Sequence, residues 1–357
     1  PASLALVLQT FPREKVPVAV AIWGAIGAAA GAAGPVLGAL LVSNLSWRWA
    51  FYVNLPVGLL SFFLGRIVLP EGREAHPGPI PDPAGVVVLA GGVALVTYAI
   101  VETSSWGWAS GRFAASMMAG LVLLGTFVYR CRRVAAPVIH LGLFRTRNFR
   151  WANLGQVAFA VGFSAMFLGN VLFLTRVWRY SILTAGLAIA VGPLIVAITA
   201  PMFGKLAGRI GQRRILVPGG LVWAAGGAFL ILRATTTPDY VGVYLPAGIL
   251  TAFGVAMCLP QLSSAAVQGL PADQFGAGSA VLQAVRNLGG TFGVALVVAF
   301  TAGATAPTAL DHFHQVWWLL VACGVAVSVL STRLATAPAR SAASADAPVA
   351  PVPSPAV

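Results

Sequence analysis

Residues 17–42, PVAVAIWGAIGAAAGAAGPVLGALLV, run without a single charged or amide side chain. A helix that crosses the hydrocarbon core of a bilayer needs roughly 20 mostly apolar residues, and this stretch supplies them. Its glycines are not scattered. At about 100° per residue, Gly24, Gly27, Gly31, Gly34 and Gly38 fall within an arc of roughly 80°. That makes one smooth face where another helix can approach closely. Pro35 stands beside the face and would kink or stiffen the helix there. Small-residue packing between membrane helices is one reading of the stripe. A specialised glycine-proline element is the other.

Nine further stretches read as spans: 50–69, 84–101, 113–130, 151–174, 183–204, 215–233, 241–263, 279–301 and 314–333. Residues 1–10 look like the last turns of one more. The composition agrees, with 58% hydrophobic and 9% charged residues over 357 positions and a mean hydropathy of +0.87. Soluble domains are about 25% charged, so a soluble enzyme is excluded as the main reading. The formal net charge of +13 would suggest nucleic acid in a soluble protein. Here it follows from topology. If the segment around Arg13 and Lys15 is cytoplasmic, seventeen of the 22 Lys and Arg residues fall on that side and five on the other. The same count puts the C-terminus in the cytoplasm. Trp47, Trp49, Trp106, Trp108, Trp178, Tyr180, Tyr240, Trp317 and Trp318 fall at the outer ends, as an interfacial belt would. Cys131, Cys258 and Cys323 are far apart and lie in or beside apolar runs, so free buried thiols are expected.

The expected organisation is an all-α, polytopic membrane bundle in six parts. Residues 1–69 are the remainder of an N-terminal helical bundle, and 70–83 a proline-rich cytoplasmic linker. Residues 84–130 hold two additional spans, and 131–150 a basic cytoplasmic linker. Residues 151–335 form a six-helix bundle, and 336–357 an Ala/Pro-rich tail that should be disordered. The chain starts at Pro1 without an initiator Met and without the regions of a signal peptide.

AAGPVLGALL followed by SNLSWRWAFYVNLPVG resembles the fifth span and following loop of major facilitator superfamily drug exporters. The likeness is to the fourteen-span drug:proton antiporters of the QacA/EmrB type. Gly27, Gly31, Gly34, Pro35 and Gly38 are similar to that family's antiporter glycine-proline motif, with Ala39 where a second glycine is common. GKLAGRIGQRR (204–214) resembles the superfamily's cytoplasmic loop motif at Gly204, Arg209, Gly211, Arg213 and Arg214, with Gly208 where the motif has an acid. A tight turn with ordinary positive-inside residues explains the same stretch equally well. AVRNLGGTFGVAL (284–296) is similar to the thirteenth span. The resemblance implies that the ten stretches are spans five to fourteen, and that three spans and most of a fourth are missing. It also implies proton-coupled efflux across a bacterial plasma membrane, which the chain as given is expected not to perform alone.

Substrate sites of such carriers lie near the bilayer midplane. Asn153, Gln156, Phe163, Phe167 and Asn170 share an arc of about 100° on one span. Either they line a cavity, or the amides bond between helices while the rings face lipid. Aromatic faces attract organic cations, which makes drugs and other amphipathic or cationic compounds the expected substrates. Gln283, Arg286 and Asn287 form a second candidate face, where Arg286 either snorkels to the interface or lines the cavity. Trp23 is a further candidate.

Proton coupling calls for a membrane carboxylate. The nine acids all stand in loops or at span ends, and only Glu102 closely borders an apolar run. The resemblance places the coupling acids in the early spans. Asp311, His312 and His314 cluster in an outer loop without the spacing of a metal site. No phosphate-binding loop, catalytic triad or paired carboxylates occur. The expected partners are small organic molecules and the lipid bilayer, with no nucleic acid, no cofactor beyond a proton gradient, and a monomeric state. The alternatives are a facilitator-type metabolite carrier, or a membrane scaffold or sensor with no transport cycle.

Overall fold

The computed structural model describes residues 16–68, 82–268, 270, 274–305 and 308–335; side-chain surroundings in the first helix are given at residues 27, 30, 31 and from 33 on. Among the described residues the protein is all helix, with no strand. In hydrocarbon every backbone N–H and C=O must be paired within the segment, and long apolar runs therefore become helices. Ten are long. The first is α1 (Val16–Asn44). The others are α2 (Trp49–Val68), α3 (Pro83–Val101), α4 (Gly111–Arg133), α5 (Arg147–Val177), α6 (Ile182–Ile210), α7 (Gln212–Arg233), α8 (Tyr240–Val267), α9 (Phe275–Thr301) and α10 (Ala309–Ser331). These nine are long and apolar enough to cross a membrane. Each coincides with one expected stretch, with ends displaced by a few residues.

Local chemistry sets the helix ends. Ser110 and Ser181 accept hydrogen bonds from the backbone N–H of Phe113 and Thr184, both at 3.1 Å, and so start α4 and α6. Asp239 starts α8 by accepting from the Gly242 N–H at 2.7 Å. Gly211 ends α6 with a φ of 90°, a backbone conformation suited to glycine, while its N–H bonds the Ala207 carbonyl at 2.8 Å.

Helices α5 to α10 pack as a bundle. α5 lies against α8, α9 and α10; α7 lies against α8 and α10; α6 joins through α8. Glycines let several of these pairs approach backbone to backbone. A Cβ built on Gly220 of α7 would lie 2.5 Å from the Gly324 carbonyl of α10, and one on Gly324 2.7 Å from the Gly220 carbonyl. Gly289 and Gly293 of α9 face Val157, Ala160 and Val161 of α5 in the same way. Large side chains fill what remains: Trp223, Phe159, Leu216, Leu262 and Leu320 on the half nearer the basic end, and Phe173, Trp178, Tyr244, Phe313 and Trp317 at the opposite end.

That second cluster corrects the aromatic belt. Trp178 and Trp317 are 3% and 2% exposed, and the Trp178 Nε1–H donates to the Thr235 carbonyl at 2.9 Å. They are core residues. Trp47, Trp49, Trp108 and Trp318 are exposed, as interfacial anchors would be. Position along a helix fixes depth in the bilayer, but the radial direction depends on neighbours.

The pair α3–α4 packs on itself and reaches the bundle through α9, where Val96 and Ile100 meet Ala295. Its basic end is clamped by Arg130, whose Nε and Nη2 donate to the two carboxylate oxygens of Asp82 at 2.9 and 2.8 Å. α1 packs along α6. α2 follows α1 and has no buried residue. All three cysteines are free and buried.

Candidate functional site

A cavity of about 340 Å³ opens between α1, α5, α6, α8 and α9, running along α8 from Tyr240 at its start to Leu259. Its volume lies in the range of small-molecule sites. From α5 it is lined by Phe163, Met166, Phe167 and Asn170; from α8 by Tyr240, Tyr244, Thr251 and Leu259; from α9 by Arg286; and from α1 by Gly27 and Gly31. α6 contributes Ile189 and Pro193 among others. Pro193 has no N–H, so the Ile189 carbonyl one turn back lacks its helical donor.

The walls are held in place by contacts behind them. Phe163 stacks on Phe159 with ring centres 5.6 Å apart, and Phe159 rests on Trp223. The Trp223 Nε1–H points at the Met166 sulfur at 3.5 Å. Tyr240 and Tyr244 stack at 5.8 Å, and the Tyr240 hydroxyl donates to the Ala188 carbonyl at 3.2 Å. A wide helical turn over Tyr240–Tyr244 places both tyrosines on one side. Asn170 makes no side-chain hydrogen bond with the described residues, leaving its amide available to a ligand.

The expected faces divide accordingly. Phe163, Phe167 and Asn170 line the cavity; Asn153 and Gln156, on the same arc, do not. Both are buried nearer the basic end, at 1% and 0% exposure. The Asn153 amide donates to the Phe149 carbonyl at 2.8 Å, and the Gln156 side chain has no partner among the described residues. An arc identifies a side of a helix, whereas the neighbours' separation decides where along that side a space opens. On α9, Gln283, Arg286 and Asn287 are all exposed; Arg286 lines the cavity, while Gln283 and Asn287 bond each other at 3.0 Å. The Trp23 side chain lies outside the described residues.

The glycine stripe of α1 has no close neighbour among the described residues. No described heavy atom comes within 4 Å of a Cβ built on Gly27, Gly31, Gly34 or Gly38. The close approach between α1 and α6 runs instead through Gly186, whose Cβ would lie 2.6 Å from the Ala39 Cβ and 3.0 Å from the Pro35 carbonyl. Pro35 and Ala39 touch the neighbouring helix, and two of the stripe's glycines face the cavity.

In the loop motif, Gly211 makes the turn, Gly204 lies near the Gln261 amide, Arg209 and Arg214 are exposed, and Arg213 is half-buried. Gln212 ties the loop to α8 by donating to the Ser264 hydroxyl at 3.2 Å. Sequence reasoning missed Tyr240 and Tyr244 as cavity residues. Their spacing of four was a usable signal, but nearness to a span end assigned Tyr240 to the belt. His312 bonds the Phe300 carbonyl through Nδ1, and His314 packs on Trp317. No group of three potential metal ligands occurs among the described residues.

A polytopic helical bundle with a cavity between its helices fits a membrane protein of the transporter class. Residues 1–294 match the family described as Major Facilitator Superfamily. The chain belongs to that superfamily, whose members are transporters and not enzymes. It is 33% identical over 316 residues to the multidrug resistance protein Stp of Mycobacterium tuberculosis, covering 88% of this chain and 58% of that protein. It is 33% identical over 327 residues to the puromycin resistance protein pur8 of Streptomyces alboniger, covering 87% and 62%. The tetracenomycin C resistance and export protein of Streptomyces glaucescens is 26% identical over 298 residues, covering 83% and 55%. The chain therefore spans less than two thirds of the length of these relatives.

Proposed function

We propose that this chain belongs to a secondary active exporter that moves bulky amphipathic organic compounds outward in exchange for protons. It acts as a monomer in a bacterial plasma membrane, with its C-terminus in the cytoplasm. A proton gradient supplies the energy and no cofactor takes part. The observation that carries this reading is the aromatic cavity between α1 and the bundle. Bundles that rock about such a cavity expose it to one side of the membrane and then the other. The relatives, named for multidrug resistance, puromycin resistance and tetracenomycin C resistance and export, favour export of drug-like compounds. The Arg and Lys residues at one end of the helices favour the orientation.

The test is transport in proteoliposomes holding the exporter encoded by the full reading frame, not residues 1–357 alone, and a fluorescent aromatic drug. The expected result is accumulation that requires an imposed pH gradient, stops with a protonophore, and drops severalfold in Phe163→Ala. Accumulation indifferent to the gradient would remove the antiport mechanism. Accumulation indifferent to Phe163 would remove the cavity as its site.

A further inference from the structure

The aromatic walls taken alone favour organic cations, because ring faces carry partial negative charge. The one formal charge on the described wall is opposite in sign. Arg286 stands on α9 eleven residues after Phe275, about 16 Å along the helix axis. Its guanidinium makes no hydrogen bond or ion pair with the described residues. The four described carboxylates are Asp82, Glu102, Asp239 and Asp311, all at helix ends. Asp82 is taken by Arg130, and Asp239 by the Gly242 N–H. None lines the cavity. Arg286 is exposed on the open wall of the cavity within an apolar helix, where a charge is costly unless something anionic or strongly polar meets it. Asn170 adds an amide that can donate to the same kind of oxygen.

We propose that Arg286 is the charge selector of the cavity, and that its preferred substrates are aromatic amphipaths carrying an acidic oxygen group, a carboxylate or a phenolate, rather than lipophilic cations. This rests on the cavity being the substrate site. The aromatic body lies between Phe163 and the stacked tyrosines, and the acidic group points toward α9. A two-pronged Arg–carboxylate contact outweighs a cation–π contact at an open wall, so the arginine sets the sign of the preference.

Three probes with one aromatic body separate charge from shape: pyrenebutyrate, its methyl ester and pyrenebutylamine. Binding is read as saturable energy transfer from tryptophan to pyrene, with the protein in nanodiscs of uncharged phosphatidylcholine. The native protein should bind the butyrate about tenfold more tightly than the amine, with the ester between them. Arg286→Gln should weaken the butyrate about tenfold and leave the ester unchanged, while Arg286→Lys keeps most of the preference. Within the native protein, butyrate binding should weaken as pH falls through the probe's own pKa, and ester binding should stay flat. That comparison needs no variant to fold. The proposal is overturned if amine and butyrate bind alike, or if Arg286→Gln weakens all three probes equally. If the probes bind and are exported without this order of charge, the selector fails and the exporter stands. If none binds saturably, the cavity loses its role as substrate site and the selector falls with it.

Discussion

Two glycine-rich regions of this protein differ in what the described residues set against them. In the bundle, Gly220 and Gly324 meet across α7 and α10 so closely that neither has room for a methyl group. On α1 the longer and more regular stripe, Gly27 to Gly38, has no described atom within 4 Å of any of the four Cβ positions. From sequence the α1 stripe is the more conspicuous. A row of glycines shows only that a face is smooth; whether a backbone or an open space lies against it depends on where the neighbouring helices run.

The bundle side of this contrast predicts the largest effect. Gly220→Val would drive its side chain into the Gly324 carbonyl and the Ser328 N–H, both backbone groups that cannot swing away. Overpacking of this kind costs about 1–3 kcal/mol, and rigid neighbours put it at the upper end. Thermal unfolding can be followed with a thiol-reactive fluorophore, because Cys131, Cys258 and Cys323 are all buried. The variant should react at a clearly lower temperature. A native unfolding temperature would show that the seam between α7 and α10 is looser than described.

The pair α3–α4 is held in two ways. Gly120 faces the Gly92 carbonyl at 3.0 Å from its Cβ position, and the Asp82–Arg130 ion pair closes the basic end. The hydrogen bond from Arg130 holds the Asp82 carboxyl below its ordinary value of 3.8, with the Gly85 N–H helping and desolvation opposing. A carboxylate with a lowered pKa contributes stability that is fully present above the unfolded value. That stability is lost as pH falls through the folded value. Native protein should therefore outlast Asp82→Asn in thermal unfolding at pH 6, with the gap closing only below pH 3.8. A gap that closes already near neutral pH would mean that another group carries it.

These elements also mark what was legible in the chain. Helix number and placement were, since a length of apolar sequence is a property of the residues alone. So was half of the α5 face: Phe163, Phe167 and Asn170 could be grouped by angle. Asn153 and Gln156 share that angle but sit where α5 is closed in by its neighbours, and no periodicity reports that. Trp178 and Trp317 passed for interfacial anchors because their depth was readable and their direction was not. Tyr244 went unnoticed because Tyr240, four residues before it, was read by its depth as an interfacial anchor, so the pair was not weighed together.

The smallest effect on stability is expected on the α1 side, and it sharpens the contrast most. A methyl group at Gly31 meets nothing described within 4 Å, so Gly31→Ala should leave the stability within about 0.5 kcal/mol of native, read as a nearly unchanged unfolding temperature. Alanine also favours the helix over glycine, which pushes in the stabilising direction. Yet Gly31 lines the cavity, and a methyl there takes room from a bound molecule. A single added carbon in an apolar site can change affinity by about tenfold when the fit is close. Pyrene probes should therefore bind more weakly to Gly31→Ala, while smaller naphthalene analogues are little affected. If stability falls instead and binding does not, the stripe is a packing surface after all, filled by something other than the helices described. If neither moves, Gly31 stands at the cavity's edge, and the glycine-proline element works through Pro35 and Ala39 against Gly186.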